Sequence, residues 1–124
     1  MRGPEFRIRD RLFVDGFKYI LSIRDKPMVL LGEKLELARI ECYLMGFYQG
    51  QGSSGVEIHS VFRKFMSGGG ENFQSFVCAE LDPKANKPWY LIIEFASSSQ
   101  EEAVDIFYRL LDKYLEKWGY DGRK

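Results

Sequence analysis

Histidine and cysteine are scarce in this sequence, with one of the first and two of the second. A metal site or nucleophilic centre therefore has few partners to draw on, and no HxxxH, HExxH or CxxC spacing occurs. Cys42 and Cys78 lie too far apart in sequence for a zinc knuckle or a thioredoxin-like pair. With no export signal they are expected as buried free thiols, acting as small hydrophobes. Long apolar runs are also missing: no stretch approaches the ~18–20 uninterrupted residues of a membrane span. The run at 28–31 is too short even for a signal-peptide core, so a reducing cytoplasm is the expected location. Neither sign of charge is in excess. Eighteen basic and eighteen acidic residues cancel, leaving no global field to grip a phosphate backbone, so nucleic acid is disfavoured as the primary partner.

What is present is apolar and aromatic: 45% hydrophobic and 15% aromatic residues in a chain of 124. That length suits one compact domain burying roughly two-thirds of its unfolded surface, without need of metal or disulfide. The domain is expected over 7–124, with 1–6 a cloning residue or disordered start.

Helical periodicity organises most of the chain. Phe13, Phe17, Ile20 and Leu21 place one apolar stripe on a helix over 10–24, weakened by Gly16 and stopped by Pro27. Residues 28–31 read as a short extended crossing closed by Gly32. Leu37, Ile40, Leu44 and Phe47 predict a second helix over 34–48. The glycine- and serine-rich 49–55 then reads as a flexible surface loop. For 56–66, Ile58, Phe62 and Phe65 fit a helical face while Val56, Ile58 and Ser60 also tolerate an extended one. Glycines 68–70 interrupt the pattern. Phe73, Phe76, Val77 and Leu81 suggest a short helix over 71–81, ended by Asp82 and Pro83. Asn86 can cap the next element and Pro88 suits a first helical turn. At 89–96 helical spacing of Trp89, Ile92, Ile93 and Ala96 competes with strand-favouring composition. The last helix is the clearest: Ser99 and Glu102 form a capping box, and Ala103, Phe107, Leu110, Leu111, Tyr114 and Trp118 line one stripe. Gly119 is a natural C′ residue.

The fold expected is mainly α, a single-domain bundle of about five helices with the last packed centrally against the first two. The alternative is α+β, with short strands near 28–31 and 89–95.

Candidate chemistry is thin. His59 with Cys42 or Cys78 is the one pairing that would make a small thiol-dependent enzyme, since an imidazole can lower a thiol pKa. Ser67 and the glycines after it lack the GxxxxGK[ST] and GxGxxG patterns of a phosphate cradle. Adjacent acids such as Glu101 and Glu102 are accounted for by capping and the helix dipole. No catalytic, metal or cofactor-binding residue is assigned. The aromatics are more telling. Tyr90, Phe95 and Tyr108 fall off the main stripes and mark a contact surface, although packing between helices accounts for such rings equally well.

One pattern resembles a known family. The segment Ile23-Arg24-Asp25-Lys26-Pro27-Met28-Val29-Leu30-Leu31-Gly32-Glu33, followed by a helix reaching Gly46-Phe47, is similar to small bacterial proteins with an R-P-G-M-[YF]-[LIV]-G segment and a helix closing in G-[YF]. Phe73-Gln74-Ser75-Phe76-Val77, then Trp89-Tyr90-Leu91-Ile92-Ile93, then Glu102-Ala103 on to Phe107 and Leu110-Leu111-Asp112, resemble that family's F-x-x-[WF]-V, W-x-x-I-I and E-A-x-x-x-F-[FY]-x-L-L-D. Pro27, Leu31 and Gly32 are retained from the first motif. Lys26, Met28, Val29 and Leu30 depart from it. The motif reads as structural and favours a helix over 89–96. Some members look like immunity proteins of toxin systems. The resemblance, together with the absence of a catalytic constellation, therefore implies a non-enzymatic protein that binds a partner such as a toxin domain. Separately, the aromatic residues leave open a homodimer in which they bury each other. The contact residues expected on the outer sides of the last two helices are Tyr90, Glu94, Tyr108 and Asp112.

Overall fold

The computed structural model describes residues 16–24, 36–54, 60–67 and 69–120. Among these, six helices follow one another without a strand: α1 Phe17–Ser22, α2 Leu37–Ser54, α3 Ser60–Met66, α4 Phe73–Leu81, α5 Trp89–Phe95 and α6 Gln100–Lys117. The mainly α single-domain fold is thus the one observed. The expectations placed on 10–15, 28–31 and 55–59 lie outside the described residues.

Helix α6 forms as its sequence dictates. Ser99, in extended conformation, accepts from the Glu102 N–H at 3.1 Å. The Glu102 carboxylate reaches back one residue further than a standard capping box, to the Ser98 N–H at 2.6 Å and the Ser98 hydroxyl at 2.9 Å. At the other end Tyr120 N–H donates to the Leu115 carbonyl and Gly119 N–H to that of Glu116. This is a Schellman ending, and it requires the left-handed backbone that Gly119 adopts at φ +67°. Between the ends, Ala103, Phe107, Leu111 and Tyr114 are fully buried.

The contest at 89–96 resolves as a helix. Ile92 and Ile93 are both buried, whereas alternate residues of a strand would face opposite sides. Pro88 occupies the N-cap and its carbonyl accepts from Leu91 and Ile92. Asn86 therefore does not cap this helix. Instead an asparagine caps α4: Asn72 accepts from the Ser75 N–H at 2.9 Å.

Two other expectations need correction. Residues 49–54 are not a loop, because α2 continues to Ser54. Once a helix is nucleated each further residue adds a hydrogen bond, and each glycine opposes this by only ~1 kcal/mol. Nor does Gly16 merely weaken a helix interior. It sits at the N-cap of α1, and a methyl group there would overlap the Phe62 ring.

The core is a web of aromatic rings. Phe73 stacks on Phe65 at 4.4 Å and meets Trp89, Tyr114 and Phe107 edge-on at 5.1–5.8 Å. Such pairs contribute beyond their buried area by ~0.5–1.5 kcal/mol each. Helix α6 is central: it packs against α2, α4 and α5, and Tyr108 ties it to α1 by donating to the Ile20 carbonyl at 2.6 Å.

Candidate functional site

The four contact residues expected from the sequence do not share one environment. Tyr108 is buried at 6% exposure, so its placement on an outer side is corrected: α1 covers it. Asp112 is exposed, but both its oxygens receive the Arg24 guanidinium, at 2.7 and 3.1 Å. That guanidinium also lies 4.8 Å over the Tyr108 ring. Glu94 is half-buried and accepts from the Gln100 side-chain amide at 2.9 Å. The Gln100 carbonyl in turn accepts from the Leu37 N–H at 3.1 Å, which satisfies an open donor at the start of α2. Tyr90 is half-buried with its ring against Trp89. Arg24 and Asp112, like Gln100 and Glu94, join elements of the bundle to one another.

The surface with spare apolar character lies one residue beyond Glu94. Because Ile92 and Ile93 face the core, the helical turn carries Phe95 outward, and its ring is 73% exposed. Leu81, the last residue of α4, is exposed as well. Between α4 and α5 the chain doubles back through 82–88, fixed by the Gln74 amide donating to the Lys87 carbonyl at 2.7 Å and by Ala85 N–H donating to the Asp82 carbonyl. The result is a groove of about 170 Å³ lined by Leu81, Asp82, Ala85, Lys87, Ile92, Phe95 and Ala96. The Lys87 ammonium stands 5.1 Å over the Phe95 ring. Sequence periodicity flagged Phe95 as off-stripe but gave no sign of Lys87, Ala85 or Leu81, whose juxtaposition depends on the path of the loop.

A second cleft, about 350 Å³ and polar, is lined by Arg63, Lys64, Ser67, Gly69 and Glu71 among others. Lys64 is paired with Glu71 at 3.0 Å. The cleft runs along one side of α3, from Ser60 at its start to Ser67 just past its end. Gly69, in the turn beside the cleft, has φ +107°.

The two thiols lie on different helices. Cys42 is exposed on α2, correcting its expected burial, and Cys78 is partly buried on α4; both are free. The Gln74 amide lies 3.5 Å from the Cys78 sulfur. His59 lies outside the described residues. Among the described residues no group of three or more His, Cys, Asp or Glu side chains converges as metal ligands, and no helix is long and apolar enough to cross a membrane. The groups with displaced pKa values are structural. Burial and the Glu71 charge push Tyr114 up, burial and Tyr19 push Tyr43 up, and hydrogen bonds from Ser98 hold Glu102 down.

The chain matches no protein-family model, no curated protein and no solved structure.

Proposed function

We propose that this chain is a non-enzymatic protein-binding domain that docks its partner at the α4–α5 groove, as an immunity protein that occludes a toxin domain. The observation that carries the reading is Phe95. A phenyl ring 73% exposed beside an apolar groove forfeits burial worth ~1.5–3 kcal/mol, which a partner covering the ring would recover. Aromatic anchors at the edge of a pocket are the usual centres of binding energy in protein interfaces. The toxin-directed form of the reading draws on the family resemblance of the motifs from Ile23 to Asp112. Tyr90 and Glu94, on the same short helix as Phe95, remain candidates for the rim of the interface. Asp112, held by Arg24, joins it only if that ion pair opens.

The test is copurification of the protein encoded by the adjacent reading frame with the tagged chain. Wild type is expected to retain it and Phe95→Asp to lose it while keeping an unchanged helical circular-dichroism spectrum. Equal retention by both would refute the groove as the docking surface.

A further inference from the structure

We draw no further inference here: the strongest candidate, the polar cleft along α3 lined by Ser60, Arg63, Lys64, Ser67 and Glu71 among others, carries none, because the Glu71 carboxylate already meets the Lys64 ammonium at 3.0 Å and none of the lining side chains holds a buried, unpartnered polar atom that would point to a ligand.

Discussion

The hydroxyl of Tyr108 donates to the carbonyl oxygen of Ile20 across 2.6 Å, joining helices 88 residues apart in the chain. Ile20 lies near the end of α1, so its carbonyl is among those the helix leaves open. Removing the hydroxyl strands that carbonyl in a buried position. Tyr108→Phe is expected to cost about 1–2 kcal/mol in urea unfolding. Asp112→Asn, which breaks the neighbouring but solvent-screened pair with Arg24, is expected to cost less than about 1 kcal/mol. The reverse order would show that the ion pair, not the buried hydroxyl, fastens α1 to α6.

Gly16, at the start of α1, faces the Phe62 ring so closely that a Cβ there would overlap it. Any side chain at position 16 must displace a fully buried ring. Gly16→Ala should therefore destabilise by about 1–3 kcal/mol, the usual cost of overpacking, although alanine is the better residue on helix propensity alone. A thermal melt decides the sign. Pairing Gly16→Ala with Phe62→Leu should recover part of the loss, because the smaller side chain makes room.

Stability should fall at both extremes of pH for identifiable reasons. The Tyr114 hydroxyl, buried and donating to the Glu71 carbonyl at 2.7 Å, has its pKa raised well above 10. The unfolded chain ionises this group near 10 while the folded one holds its proton. Stability is thus fully present below about pH 10 and declines as pH rises beyond it. Tyr43 acts in the same direction. Unfolding measured against pH should show a shallower alkaline decline in Tyr114→Phe than in wild type. Glu102 behaves oppositely. Its pKa is lowered from 4.5 by the Ser98 N–H and hydroxyl, so its contribution is present above that value and is lost as pH falls through the folded-state pKa. Glu102→Gln should soften the acid decline and leave the alkaline limb unchanged.

The two thiols should be kinetically distinct. Cys42 is exposed and Cys78 partly covered, so a thiol-specific disulfide reagent should give one fast and one slow phase, the fast phase vanishing in Cys42→Ser. Two slow phases would show that α2 turns its Cys42 face inward.

Much of this fold was legible in the sequence because helix ends and stripes are written locally. Ser99, Glu102 and Gly119 each act through backbone groups within about a turn or two, and the stripe from Ala103 to Tyr114 needs only a period of 3.6. Period alone does not say what covers the flank of a stripe. Tyr108 was legible as off-stripe, but its burial depends on where α1 lies, and the exposure of Cys42 depends on which side of α2 has neighbours. The groove was the least legible feature. Leu81 sits on an ordinary apolar stripe and Lys87 in an ordinary turn. Only the return of the chain through 82–88 sets them beside Phe95. The continuation of α2 past Gly50 is hard to read for another reason: the glycine- and serine-rich composition of 49–54 carries a loop signal, whereas a helix already propagating from Leu37 gains a hydrogen bond with each further residue.

The most direct test of the binding account is growth of cells that express the adjacent reading frame's protein together with this chain. The account predicts that wild type protects, that Phe95→Asp fails to protect at equal soluble expression and with an unchanged helical spectrum, and that Asp112→Asn protects as well as wild type. Protection by Phe95→Asp at the wild-type level would contradict it.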